Sequence, residues 1–314
     1  MTGVLSRYNR ELSVAGVYAA LLVLMAALAP AFFSDEFANT WTRAAPTLVA
    51  AVGMTFVIVA RHIDISIGSQ FSICGVMAGL LAKAGLPVPA VAVVTIAMGC
   101  VMGSLNGVLV AFAGLPSIVV TLATMVIGRE ALRWARQGDA VRDLPAGFQW
   151  FGFEQSTGEW MLVVVAALVT LTFAWIARNL AGGRAIFAVG SDAAAARLAG
   201  IRPRLVTFST FVLLGGLVGL AAVMNAVRFA QVDTNAGVGM ELAVIAAVVV
   251  GGTAINGGRG TLLGTVVGVA LLTTIGPALT FLKIPSQWER AVQGVIILAA
   301  VASDRLFSGK GGAR

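Results

Sequence analysis

GRAIFAVGSDAAAARLAGIRP, Gly183 to Pro203, is the most polar interruption in an otherwise oily chain, and its reading decides what its flanks must be. Ser191 or Asp192 offers a side-chain oxygen to the free N–H groups of a first helical turn. Ala193 to Leu198 are strong helix formers with little bulk. Gly200 stands where a left-handed C-terminal cap is wanted, and Pro203 stops any continuation. A helix of about two turns is unstable alone in water, so it needs a surface to lie on. Two readings follow: a connecting helix between two membrane spans, or a docking part whose smooth alanine face presses into a groove.

Outward from this stretch the chain is apolar in both directions. Hydrophobic residues make up 59% and charged residues 11%, and the mean hydropathy is +0.94. Length would suit one to three soluble domains, but so few charges cannot cover that much apolar surface. Runs long enough to cross a bilayer recur throughout. The expectation is an all-α polytopic membrane protein with about ten transmembrane helices, in one domain over 1–314. The spans fall at roughly 13–33, 46–62, 65–83, 88–113, 116–135, 160–178, 205–228, 240–256, 260–283 and 287–303. The first run follows Arg7 and Arg10 and imitates a signal peptide. Its length suits a retained first helix.

Charge sets the orientation. The 178–204 loop holds Arg178, Arg184, Arg197, Arg202 and Arg204 against Asp192, net +4, whereas 136–159 is net −2. Positive loops stay in the cytoplasm. The first loop is therefore expected inside and the second outside. Arg7 and Arg10, with Arg305, Lys310 and Arg314, put both termini in the cytoplasm. The outer loop carries Leu144 to Gly152, whose aromatic residues suit an interfacial anchor or a landing surface for a binding protein. The 305–314 tail reads as flexible. Two halves of five spans permit an inverted repeat. The echo between Ile63–Ser69 and Ile255–Gly260, however, falls on one face and does not fit simple inversion.

Several chemistries are excluded. The net charge of +7 is scattered at span ends, and only Lys83, Lys283 and Lys310 are lysines, so there is no nucleic-acid patch. His62 is the only histidine, and Cys74 and Cys100 lie in apolar runs without ligand spacing. The glycine-rich run Gly251 to Thr261 lacks the GK[ST] ending of a phosphate loop. No catalytic, cofactor or metal residues are therefore expected, and the chain binds no ATP through a phosphate loop.

Five stretches carry a resemblance. Gly183-Arg184, Ala188-Val189-Gly190 and Ala195 to Ile201 match a GRxxxAVGxNxxAARLxGI pattern, with Asp192 in place of its Asn. Ile63 to Ser69 matches GGIDLSVGS, with Arg61-His62 replacing its glycine pair. Gly103 to Gly107 matches GxxNG, Leu115 to Leu122 matches LPSFIVTL, and Glu241 to Thr261 matches ELxxIAAVVLGGTSLxGGRGT. In these motifs the chain resembles permease subunits of ATP-binding-cassette importers, of the ribose, rhamnose and autoinducer-2 type.

The resemblance implies that 184–201 is the cytoplasmic coupling loop, with Arg184, Gly190, Asp192, Ala196, Arg197 and Gly200 meeting the ATPase. It implies import of a monosaccharide, rhamnose or ribose type, or of an autoinducer-2-like furanosyl signal, across the bacterial inner membrane. The implied partners are a cytoplasmic ATP-binding subunit with two fused ATPase domains, a second permease subunit and a periplasmic substrate-binding protein. Polar residues among the spans mark a translocation path at Asp64, Ser66, Ser69, Asn106, Thr121 and Asn256. Each also has a packing role open to it: Asn106 in lipid needs a partner on a neighbouring helix, and Arg61 and Asp64 are spaced to pair along one helix face. An ion-coupled secondary transporter is the alternative, for which Asp64, Glu130 and Glu241 are the available ionisable groups. Gly200→Asp or a bulky residue at Ala196 is expected to abolish transport without preventing insertion.

Overall fold

The computed structural model describes residues 9–285, 287–289, 291–296 and 298. The described chain is a helical bundle: α1 Asn9–Leu28, α2 Ala31–Asp35, α3 Phe37–Val59, α4 Ile67–Lys83, α5 Val88–Ala111, α6 Ser117–Arg136, α7 Gln155–Asn179, α8 Ala181–Ser191, α9 Ala193–Leu198, α10 Pro203–Ala226, α11 Met240–Val250 and α12 Leu262–Phe281. Each of the ten apolar segments coincides with helix. The tenth is helical where described, and the rest of it, like the 305–314 tail, lies outside the described residues. Among the described residues five helices (α3, α5, α7, α10 and α12) are long and apolar enough to cross a membrane.

The bundle is organised around α3. In its most apolar window 89% of residues are buried, against 17% for α7, whose Trp160, Leu168, Leu171 and Trp175 point outward. A helix hydrophobic on all sides belongs inside, and one with an outward apolar face suits lipid. Three of the predicted boundaries need correction. The second span begins at Phe37 rather than 46, because Pro46 sits inside α3 instead of starting it. The first ends at Leu28, with α2 as a separate turn. The eighth stops at Val250 rather than 256.

Small residues set how closely the helices approach. Gly99 and Gly103 on α5 face Gly215 on α10 so tightly that a methyl on Gly99 would overlap the Gly215 carbonyl oxygen, and the reverse holds. Spacing of four residues puts such glycines on one face, where backbones can touch. A threonine pair, Thr55 and Thr265 (Oγ1 to Oγ1 2.7 Å), ties α3 to α12.

Two helices begin side by side and run apart. After α10 the chain dips back along α4, with Val232 beside Gly75 and Gly79, and the Gly237 N–H donates to Ser72 Oγ at 3.0 Å. There α11 starts against Gly68, the second residue of α4. Eleven residues of α11 extend only ~16 Å at 1.5 Å per residue, about half of a ~30 Å hydrocarbon layer.

At the expected outer end the 137–154 segment folds over the bundle. Val141 and Val232 pair as an isolated antiparallel bridge, and the Trp150 N–H donates to Val227 O at 2.7 Å. Leu144 and Phe148 are buried, while Trp150 and Phe151 pack against the core. The interfacial-anchor reading of this loop is therefore corrected: these side chains face protein, and Phe153 is the exposed aromatic.

Candidate functional site

The 183–203 stretch folds as two short helices at the junction of α7 and α10. Gly183 lies against the last turn of α7, where a methyl would overlap Ile176 O. Arg184 Nη1 donates to Asn179 O at 2.8 Å, closing the C-terminus of α7. Arg184 is thus occupied by the chain's own backbone. Of the two candidate caps, Asp192 serves: its Oδ1 accepts from Ala194 N at 2.8 Å and Ala195 N at 3.0 Å. The Ala195 and Ala194 N–H groups hold the Asp192 carboxyl below the usual carboxylate range. Gly200 takes φ +81°, and Ile201 N donates to Ala196 O at 3.0 Å, closing the helix in the expected left-handed cap.

The faces of α9 differ from the expected ones. Ala196 is 4% exposed and points into the protein, so it anchors α9 and presents nothing outward. Arg197 is exposed, and Leu198 is 92% exposed. Leu198 was not singled out by sequence reasoning. Its signal is an apolar side chain four residues from Ala194 and two from the buried Ala196, hence on the opposite face.

Gly190 sits in a knot of three remote segments. A methyl there would overlap the Val59 carbonyl oxygen at the end of α3. That same carbonyl accepts from Gly258 N at 2.8 Å. Arg61 Nε donates to Gly190 O at 2.6 Å and Nη2 to Ser191 O at 2.5 Å. The predicted Arg61–Asp64 pair is thus corrected. The two lie on a non-helical link between α3 and α4, and Arg61 serves the 183–203 stretch. The Ile63–Ser69 and Ile255–Gly260 stretches do share one end of the molecule, since Val59 touches Gly258.

Asp64 belongs to a second constellation, fully buried at 0% exposure. Its Oδ1 accepts from Ser66 N at 2.8 Å and Ser66 Oγ at 2.5 Å. Its Oδ2 accepts from Asn106 Nδ2 at 3.2 Å and Gln70 Nε2 at 3.4 Å. Both amides also donate to Ser66 Oγ, at 2.8 and 2.7 Å. Thr121 on α6 accepts from Ile65 N at 3.1 Å, and Ser69 Oγ donates to Ser66 O at 2.9 Å. The structure therefore gathers Asp64, Ser66, Ser69, Asn106 and Thr121, joining the α3–α4 break to α5 and α6. Asn256 stands apart, exposed on the glycine-rich loop beyond α11. Gln70 completes the hub and was missed; its position four residues after Ser66 on one helix face was the available signal.

A charged pair, also missed, lies where α4 and α11 begin. Arg129 Nη2 on α6 is 3.4 Å from Glu241 Oε1, the two side chains being 35% and 11% exposed. Gly68 has no side chain where Glu241 Oε2 approaches. Glu241 thus complements the α11 N-terminus, as expected from its position, and holds α6 as well. Among the described residues no group of three or more His, Cys, Asp or Glu could hold a metal ion.

This chain, a bundle with broken helices and a basic segment seated at one end, matches known transport proteins in sequence. Residues 37–301 match the family described as branched-chain amino acid transport system / permease component. The autoinducer 2 import system permease protein LsrC of Salmonella typhi is 32% identical over 301 residues, covering 94% of this chain and 86% of that protein. Its namesake in Escherichia coli O9:H4 (strain HS) is 31% identical over 306 residues, covering 94% and 87%. No solved structure matches the chain. The chain belongs to this permease family and is a multi-pass inner-membrane subunit of an ATP-binding-cassette importer of the branched-chain/sugar type.

Proposed function

We propose that this subunit carries a small, neutral, polyhydroxylated solute inward, a monosaccharide of the rhamnose or ribose kind, and that a separate cytoplasmic ATPase drives it through α9. The observation that carries the reading is Leu198, an almost fully exposed apolar side chain on a capped helix in a basic loop. An exposed leucine beside Arg197 suits a protein groove with an acidic rim. Arg197 and Leu198 meet the ATPase, which has two fused domains. Asp192 and Gly200 cap α9, Ala196 and Gly190 seat it, and Arg184 fixes its approach. Both termini and α9 then lie in the cytoplasm.

The second permease subunit, an identical or a related chain, sits against α6. That helix buries only Val120 and Thr121, and exposes Glu130 and Arg133 beside Val126 and Ile127. So little of α6 is buried within this chain that the helix has an open side for a second subunit or a watery passage. Asp64, Ser66, Ser69, Asn106 and Thr121 act from behind the wall of that passage, by holding the α3–α4 break against α5 and α6. Asn256 stands at its cytoplasmic end. A periplasmic substrate-binding protein delivers the solute at the other.

A second solute reading is favoured by the relatives, whose names specify autoinducer 2 import: an autoinducer-2-like furanosyl compound. Titrating the cognate binding protein with rhamnose, ribose and autoinducer 2, then following uptake into vesicles holding the whole importer, separates the two. Leu198→Glu is expected to leave the permease folded and to stop the ATPase from co-purifying. Solute uptake by this chain without an ATPase would overturn the ATP-driven reading and favour a secondary transporter.

A further inference from the structure

We propose that Arg61 is a positioning residue for coupling: a strut that passes the movement of α9 to the buried Asp64 hub. This rests on the reading of α9 as the ATPase dock.

The backbone is the first observation. Arg61 has φ +69°, the left-handed region that favours glycine and that a long side chain enters only when its surroundings hold it there. It is the residue at which the chain leaves α3, with its N–H donating to Ile58 O at 2.9 Å, and turns back into the bundle toward Asp64. Glycine would make this turn without strain. An arginine here is explained by what its side chain does.

The side chain is the second observation. Its guanidinium donates to Gly190 O and Ser191 O, the carbonyls that α8 leaves free at its C-terminus. A cation at that end also complements the helix dipole. The aliphatic stem lies over Gly257, where a methyl would overlap Arg61 Cγ. One residue therefore clamps the end of α8 and the glycine-rich loop together.

The third observation is what lies on either side. Ser191 is followed directly by Asp192, the cap of α9. Arg61 is followed three residues later by Asp64, which is bonded to α4 and α5. The link between the exposed Leu198 and the sealed hub is thus short: one two-turn helix, two charge-assisted hydrogen bonds and three residues of chain. Such bonds are the stronger kind and are directional, so a shift of α8 and α9 pulls on the α3–α4 break.

The test uses the complete importer in proteoliposomes, reading solute moved per ATP hydrolysed. Arg61→Gly accepts the turn and removes the strut. We expect it to fold and hydrolyse ATP while solute per ATP falls at least about tenfold, the scale of a single charge-assisted bond where two are removed. Arg61→Lys, which can reach one of the two carbonyls, should recover part of that ratio. An unchanged ratio in Arg61→Gly overturns the strut, as does a loss of folded protein that tracks the loss of transport in both variants. Leu198→Glu separates the two proposals. Full ATPase assembly in that variant overturns the dock and the strut with it, whereas lost assembly there with an unchanged ratio in Arg61→Gly overturns the strut alone.

Discussion

Asp64 and Asp192 make the same local bond. Each accepts from the backbone N–H two residues on, Ser66 or Ala194, at 2.8 Å, though Asp192 is the N-cap of α9 and Asp64 stands two residues before the N-cap of α4. Beyond that they differ. Asp192 is exposed, and its second partner is the next backbone N–H, from Ala195. Asp64 is sealed in the bundle, and its remaining partners are the side chains of Ser66, Gln70 and Asn106. The difference follows from the surroundings. At the water-facing end a helix terminus can be completed by its own capping residue. Inside the bundle a carboxylate needs a donor for every lone pair, and neighbouring elements must supply them.

The largest expected effect breaks the buried member of the pair. Asp64→Ala strands the donors of Ser66, Gln70 and Asn106, at about 1–3 kcal/mol for each buried group left unmade. Folded yield and thermal midpoint in detergent should fall sharply. Asp64→Asn, keeping one acceptor oxygen, should fall between this and the native protein.

Next is Gly190, at the water-facing end but wedged into the bundle. Gly190→Ala forces a methyl onto Val59 O, an overpacking worth about 1–3 kcal/mol. Uptake should drop with a modest loss of thermal midpoint. Normal uptake would show that α8 need not be seated on α3.

Asp192→Ala should loosen the first turn of α9, and Asp192→Asn should leave it unchanged, since Asn caps equally well. Faster amide exchange at Ala194 and Ala195 in the alanine variant alone would confirm local capping. Equal effects from the Asp64 and Asp192 alanine variants would undo the comparison.

The smallest effect is the pH dependence. The folded Asp192 carboxyl is held below its ordinary value, so the cap's contribution is complete above about pH 4, the unfolded carboxylate value, and fades as pH falls through the lower folded value. Protection of the Ala194 and Ala195 amides, relative to their intrinsic exchange rate at each pH, should fall below about pH 4 in the native protein and be unaffected by acid in Asp192→Asn.

Much of this was legible in the residues themselves. Asp192 and Gly200 delimit α9 and Pro203 begins α10 by chemistry acting within a few residues, and apolar runs locate the bundle helices. The end of α11 was not legible, because Gly251 and Gly252 continue an apolar run that only a tertiary turn interrupts. Arg129 was missed because its partner Glu241 is more than a hundred residues away. The aromatic loop was misread because its composition suits a lipid rim as well as a protein cap, and only the pairing with Val227 and Val232 distinguishes them.

By itself, then, the sequence determined that this is a membrane-spanning helical bundle with one basic, capped segment between two of its spans, because hydropathy, charge and capping act over short stretches of chain. Only the tertiary structure decided that Ala196 faces in and Leu198 out, that Asp64 is shared by three elements, and that Arg61 reaches Gly190. These depend on which surfaces meet, and residues distant in the chain meet only once the bundle has closed around α3.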